Sequence, residues 1–153
     1  MGQIHRYTSR LEWSGSTGEG YEHYDRGHLV SAPPSQPELR LSSDAAFRGD
    51  PELLNPEQLL LVAASSCQLL EFLAIAARAR IDVVSYTDEA EAVMPEDQKP
   101  MRITRITLRP HIVIEGEVDE QRVRHYIELA HDECFIANSI SSEIVFEPRI
   151  EFR

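Results

Sequence analysis

Residues 55–80 read NPEQLLLVAASSCQLLEFLAIAARAR, and this stretch decides the fold. Asn55 can cap a helix, Pro56 suits the first helical position, and Gln58 completes the spacing of a capping box. No glycine or proline follows within the stretch. The pattern therefore predicts one helix from Pro56 to about Arg80, roughly 37 Å long at about 1.5 Å per residue.

The middle of this helix is apolar on nearly every side. Its large apolar residues are Leu59, Leu60, Leu61, Val62, Leu69, Leu70, Phe72, Leu73 and Ile75. A helix of this kind has to be buried all round, and one modest sheet can cover only one side of it. We therefore expect a second copy of the chain to cover the rest, as an obligate homodimer.

Strands are expected both before and after the helix in the sequence. Residues 4–14, 20–30 (bent around residues 25–27) and 39–42 have strand character before it. Three alternating patterns follow it, carried by Val84, Tyr86, Ala90, Ala92 and Met94, by Ile106, Leu108, Ile112 and Ile114, and by Ile144, Phe146, Ile150 and Phe152. The last two patterns flank a second helix, which begins near Asp119 and has Val123, Ile127, Ala130 and Cys134 along one face. The predicted class is α+β, an antiparallel sheet packed on a central helix, in one domain over residues 1–153.

The charge of the chain argues against two kinds of partner. Lys and Arg total 15 and Asp and Glu total 26, for a net charge of −11. Nucleic acids and anionic membrane surfaces both require a basic face. Residues 1–11 have no apolar stretch typical of a signal peptide, and the longest fully apolar run, Leu59–Ala64, is far shorter than a membrane span. We expect a cytoplasmic protein that binds neither nucleic acid nor membrane.

Two cysteines are the candidates for chemistry. Cys67 lies on the long helix after a run of small residues, 63–66, which leave space around its sulfur. Free cysteine often packs as a small hydrophobe, so a purely structural role competes. Cys134 lies on the apolar face of the second helix and is expected to point at the long helix. A cysteine pair that meets in a cytosolic protein is more often redox-active than structural.

A metal site is the weaker alternative for the same residues. His131 and Cys134 are three positions apart on a helix, and Cys67 would be a third ligand. A catalytic zinc site usually has closer spacing between two of its ligands. His131 is therefore interpreted as a helix-end residue that bonds to main-chain carbonyls.

A reactive thiolate needs a positive neighbour that lowers its pKa. The candidates are Arg26, at a predicted hairpin tip, and Arg48, shortly before the long helix, with a slight preference for Arg26. Both could equally be solvated surface arginines. Glu57 lies in the first helical turn, where an acidic side chain interacts favourably with the helix dipole, and it could likewise have no other role.

Several of these residues together resemble the OsmC/Ohr superfamily of osmotically inducible and organic-hydroperoxide-resistance proteins, in its OsmC-like branch. The motifs are Asn55-Pro56-Glu57-Gln58-Leu59-Leu60, Cys67 ten positions after Glu57, and Ala130-His131-x-x-Cys134. The resemblance covers nearly the whole chain. It implies an intertwined homodimer with two active sites at the subunit interface.

The resemblance also implies a reaction. Cys67 matches the peroxidatic cysteine, Cys134 the resolving one, and Glu57 the glutamate that acts with an arginine on the thiolate. The thiolate reduces an organic hydroperoxide (hydrogen peroxide is a further candidate) and becomes a sulfenic acid, which condenses to a Cys67–Cys134 disulfide. An external dithiol, in some members a lipoyl-bearing protein, reduces the disulfide. No metal or bound cofactor is implied.

The geometry of the long helix restricts which chain can supply Glu57, and the sequence differs from the hydroperoxide-resistance branch at two places. Ten residues of helix separate Glu57 from Cys67 by about 15 Å along the axis, so Glu57 would have to act on the Cys67 of a partner chain. The hydroperoxide-resistance branch has an arginine after a Gly-Gly pair where residues 14–18 read SGSTG, and a proline where this chain has Phe135.

A non-enzymatic dimer that senses redox state or binds an apolar ligand in the same pocket is the alternative function.

Overall fold

The computed structural model describes residues 2–153. These residues form two compact units, one up to Leu59 and one over Leu60–Arg153. A single domain over residues 1–153 stays a prediction.

The first unit contains a small antiparallel sheet. Its strands are β1 (Arg10–Glu12), β2 (His28–Ser31) and β3 (Glu38–Leu41), in the order β1-β2-β3. The strand predicted over residues 4–14 is therefore only three residues long, and the pair predicted over 20–30 is reduced to β2. Turns replace the missing strand residues, because Ser16 accepts a bond from the Gly18 N–H and the Asp25 carboxylate accepts one from the Gly27 N–H.

The long helix, α1, spans Pro56–Arg78. Its start is confirmed, since the side chain of Gln58 accepts a bond from the Asn55 N–H at 2.9 Å and that of Asn55 accepts one from the Gln58 N–H at 2.8 Å. It ends two residues before the predicted Arg80, because Arg80 takes a left-handed φ of 58°. The N–H groups of Arg80 and Ile81 then bond to the carbonyls of Ala77 and Ala76, which terminates the helix in a Schellman motif.

The second unit has two three-stranded sheets and a second helix. Its elements are β4 (Asp82–Asp88), β5 (Glu91–Val93), β6 (Arg105–Leu108), β7 (Pro110–Glu115), α2 (Glu120–Glu133), β8 (Glu143–Phe146) and β9 (Arg149–Phe152). The sheet orders are β4-β7-β9 and β5-β6-β8. Each alternating pattern of the sequence is thus divided between two sheets.

The prediction of an antiparallel sheet is confirmed only in part. β4 and β5 pair antiparallel with β7 and β6, but β9 and β8 pair parallel with β7 and β6. The connection through α2 explains the parallel pairs, because it is long enough to return the chain before β8 begins. The α+β class stands, with mixed sheets.

One face of α1 is buried in the second unit and another is not. Phe72, Ile75 and Ala76 pack in a core cluster with residues of β7 and α2 (Ile112, Ile114, Val123, Ile127 and Ala130). Ala64 packs in a second cluster with Ile103, Ile106 and Leu108. Val62 and Leu70 are 57% and 64% exposed. By length and composition alone α1 could also cross a membrane, with a mean hydropathy of 2.0 over its most apolar window, a property that buried core helices share.

Candidate active site

Cys67 lies in the middle of α1 and is half-buried, with a free thiol. The residues around it on the helix are small. One of them, Ser65, donates a short hydrogen bond to the carboxylate of Asp88, which joins α1 to the end of β4. Cys67 is therefore on a helix that is held against the sheet, and the residue is only partly buried.

Cys134 caps the C-terminus of α2 and is 1% exposed. Its main-chain N–H donates to the His131 carbonyl at 3.2 Å. The Asn138 side-chain amide donates to the carbonyls of Asp132 and Cys134 at 2.8 and 2.9 Å, which holds the turn that follows α2. The Cys134 sulfur accepts a hydrogen bond from the Ala137 N–H at 3.4 Å.

Cys67 lies close enough to Cys134 to influence the pKa of its thiol, although the two residues are far apart in sequence. Burial raises the pKa of the Cys134 thiol, the Ala137 N–H opposes this, and the bond and charge of Cys67 raise it further. The net shift is upward, so Cys134 holds its proton more tightly than an ordinary cysteine. Of the pair, Cys67 is the accessible thiol and Cys134 the protected one.

Arg26 belongs to the first unit, and its guanidinium is held by two tyrosines. The group lies over the ring of Tyr24 at 3.9 Å and over that of Tyr21 at 4.8 Å. It also donates to the carbonyls of Tyr24 and Tyr21 at 2.7 and 2.5 Å.

Arg48 and Glu57 are the other candidates in the first unit. Arg48 takes a left-handed φ of 67°, an uncommon conformation for a residue other than glycine. Its guanidinium pairs with the Glu22 carboxylate at 2.5 Å, and both side chains are more than half exposed. Glu57 is half-buried in the first turn of α1.

The zinc alternative is not supported over residues 2–153. Within that range no three His, Cys, Asp or Glu side chains form a group that could hold a metal ion. The set of His131, Cys134 and Cys67 is therefore not assembled as metal ligands. The ring of His131 packs edge-on against Phe146, with centroids 5.2 Å apart, and its Nδ1 atom is buried without a hydrogen-bond partner among the described residues.

Sequence reasoning missed two residues of the site. Gln68 is buried beside Cys67 and bonds to the main chain of α2, and Asn138 fixes the turn after Cys134. A glutamine within an apolar helix was the available signal for the first. Asn138 had no such signal, because its role depends on how the chain turns after α2.

Known proteins place these features in context. The profile of the OsmC-like protein family matches residues 49–149. An OsmC-like protein of unknown function from Vibrio cholerae O1 has a similar structure, with a TM-score of 0.85 and 29% identity, over 95% of this chain and 99% of that one.

Two more distant structures share the fold. The organic hydroperoxide resistance protein OsmC of Legionella pneumophila has a TM-score of 0.69 and 14% identity, over 98% of this chain and 99% of that one. The organic hydroperoxide resistance protein of Elizabethkingia anophelis has a TM-score of 0.70 and 17% identity, over 100% of both chains. No curated protein matches the sequence.

Proposed function

We propose that this chain, which belongs to the OsmC-like protein family, is a thiol-dependent peroxidase that reduces organic hydroperoxides. The observation that carries the proposal is the pair of neighbouring free thiols, one accessible and one buried with a raised pKa. A peroxidatic cysteine has to meet its substrate, whereas a resolving cysteine has only to meet the first sulfur. Cys67 fits the first requirement and Cys134 the second.

The reaction proceeds in two steps within the protein. The Cys67 thiolate attacks one peroxide oxygen, the O–O bond breaks, and the leaving alkoxide takes a proton to become an alcohol. Cys67 is oxidised to a sulfenic acid. The Cys134 sulfur then attacks the Cys67 sulfur, a disulfide forms, and the hydroxyl leaves as water with the proton of Cys134.

The raised pKa of Cys134 suits this order of events. Because Cys134 keeps its proton, it does not compete with Cys67 for the peroxide. The hydrogen bond from the Ala137 N–H stabilises negative charge on the Cys134 sulfur as its proton departs. An external dithiol, such as a lipoyl-bearing protein in the cytoplasm, would then reduce the disulfide.

For the arginine that activates Cys67 we propose Arg48. The Arg26 guanidinium is fixed by two main-chain carbonyls and two aromatic rings, whereas the Arg48 side chain, although paired with Glu22, is more than half exposed. Arg48 is instead on a tightly built turn, where a Cβ added to Gly49 would come within 1.6 Å of the Ser43 carbonyl oxygen. Arg48 ends the short helical turn Ala45–Phe47 in a left-handed conformation, so its main chain is fixed in place.

We further propose a homodimer in which Glu57 of one chain serves the Cys67 of the other. The exposed apolar side chains on α1 support a partner on that face, since a patch of this kind is unfavourable in water. Glu57 and Cys67 of one chain are about 15 Å apart along α1, which supports a site where the glutamate comes from the partner chain.

The test is turnover with a dithiol as reductant, with tert-butyl, cumene and hydrogen peroxides compared side by side. Cys67→Ser should abolish peroxide consumption, and Cys134→Ser should allow one oxidation event per chain without recycling. Full turnover by the Cys67→Ser variant would refute the assignment. A single stoichiometric oxidation of the wild type, with no turnover, would instead favour the redox-sensing alternative.

A further inference from the structure

A cavity of about 340 Å³ lies within the first unit, which contains neither of the two cysteines. Its walls include Trp13, Tyr24, Arg26 and Pro56, together with the hydroxyl-bearing residues Thr17 and Ser43. The volume lies within the range of pockets that bind small molecules, and such pockets are mostly apolar with a few polar groups that orient the ligand. Arg26 is the charged residue of this wall.

The Arg26 guanidinium is fixed in place but its charge is not neutralised. Two tyrosine rings and two main-chain carbonyls hold it. No ion pair between Arg26 and an acidic side chain occurs among residues 2–153. A guanidinium has five N–H donors, and the two carbonyls take one each, so three remain for a ligand.

The aromatic wall of the cavity is also preformed. The Trp13 indole N–H donates to the Asp25 carbonyl at 2.8 Å, and the Trp13 and Tyr24 rings meet edge to face with centroids 6.3 Å apart. Gly15 packs so closely that an added Cβ would come within 2.8 Å of the indole. The indole is therefore held before any ligand arrives, which reduces the entropic cost of binding.

We propose that this cavity binds a small apolar carboxylate, such as a medium-chain fatty acid or an aromatic acid. The carboxylate accepts hydrogen bonds from the free N–H groups of Arg26, and the apolar body lies against Trp13, Tyr24 and Pro56. Arginine matches a planar carboxylate because its N–H groups point in parallel. A phosphate ligand is disfavoured, because it carries more charge than one arginine neutralises and the chain has a net charge of −11.

This inference goes beyond the proposed peroxidase activity, because the ligand it assigns to the first unit is a carboxylate and not a peroxide. It also assigns Arg26 to carboxylate binding, while Arg48 stays the arginine proposed to activate Cys67.

Trp13 is the single tryptophan of the chain and lines this cavity, so its fluorescence responds to a ligand that binds there. The full-length protein is titrated with octanoate and, as a neutral match of equal chain length, with octanol. We expect a saturable change with octanoate and at least about tenfold weaker binding of octanol, which corresponds to about 1.4 kcal/mol. Equal binding of both probes, or no saturable change with octanoate, would overturn the proposal.

Variants identify the residue responsible. Arg26→Gln should lose the preference for octanoate, and Arg26→Lys should keep part of it, since the charge stays but the fork is lost. Arg78→Gln, at the exposed end of α1, is the matched control and should bind as the wild type does. The double variant Cys67→Ser, Cys134→Ser should bind octanoate unchanged, so the failure of either proposal leaves the other standing. Should Arg26→Gln not fold, the comparison of octanoate with octanol on the wild type still decides.

Discussion

The side-chain amide of Gln68 on α1 donates a hydrogen bond of 3.0 Å to the main-chain carbonyl of Ile127 on α2. Gln68 is 2% exposed and follows Cys67 directly, and Ile127 is on the same buried face of α2 that leads to Cys134. A buried amide is costly unless it is hydrogen-bonded, and the bond is directional. Gln68 therefore fixes how α1 and α2 pack next to the two sulfur atoms.

Replacing Gln68 by Leu should slow the closure of the disulfide without slowing the attack on peroxide. Leucine fills a similar volume but cannot bond to the Ile127 carbonyl, so the two helices lose a restraint on the distance between the sulfurs. We expect closure to fall by roughly tenfold, about 1.4 kcal/mol. Rapid-mixing measurements that follow peroxide consumption and disulfide formation separately would show the difference.

The exposed Gln121 on α2 provides the control for this variant, since Gln121→Leu removes an amide away from the helix contact. An equal loss in both steps for Gln68→Leu would point to general unfolding. Unchanged closure would show that Gln68 has no positioning role.

The raised pKa of Cys134 predicts how stability depends on pH. A thiol whose pKa is higher in the folded state than in the unfolded chain contributes stability that is fully present below the unfolded value and is lost as the pH rises through the folded one. The reduced wild type should therefore lose more stability than Cys134→Ala between about pH 7 and about pH 10. Urea unfolding at the two pH values measures this, and equal losses would contradict the shift.

Arg48→Ala should slow the reaction of Cys67 with peroxide, whereas Arg26→Ala should leave its rate nearly unchanged. Loss of a nearby positive charge disfavours the thiolate, and Arg48 is our candidate for that charge. The rate of a single oxidation by cumene hydroperoxide, measured in a Cys134→Ser background, distinguishes the two variants. The opposite pattern would restore the slight preference for Arg26 that the sequence suggested.

A charge on the exposed face of α1 should dissociate the dimer. Val62 is 57% exposed there, and Val62→Glu would place a carboxylate in the proposed interface, where burial without a partner is costly. Val84 on β4 is 51% exposed and gives a matched control as Val84→Glu. Sedimentation should show a monomer for the first variant and a dimer for the wild type; a monomeric wild type would end the proposal of a dimer.

The start of α1 was predictable because its determinants are local. Asn55 and Gln58 bond to each other across one turn, and both residues are visible in the sequence. The end of the helix was predicted less well, because Arg80 adopts a conformation that usually requires glycine.

The strands were harder to predict, because their burial depends on distant partners. Val84 shares the parity of Tyr86 but is exposed, since a register shift between Val83 and Ser85 turns it outward. Thr107 and Val113 lie between the predicted inward residues and are buried as well, because β6 and β7 are the central strands of their sheets. Alternation alone does not show which strands are covered on both faces.

The neighbouring positions of Cys67 and Cys134 could be expected from the apolar face of α2, but the details of the site could not. The Ala137 N–H that meets the Cys134 sulfur depends on the turn after α2, which no local pattern predicts. The pocket around Arg26 depends in the same way on the packing of Trp13 and Tyr24.

The most direct test of the account is to treat the reduced protein with one equivalent of cumene hydroperoxide, in the absence of a reductant, and to map its disulfides by mass spectrometry. We predict a peptide that joins Cys67 to Cys134 within one chain, formed in proportion to the peroxide consumed, with both free thiols lost. Free Cys134 beside a Cys67 that has been oxidised to sulfinic acid, or two free thiols and unconsumed peroxide, would contradict it.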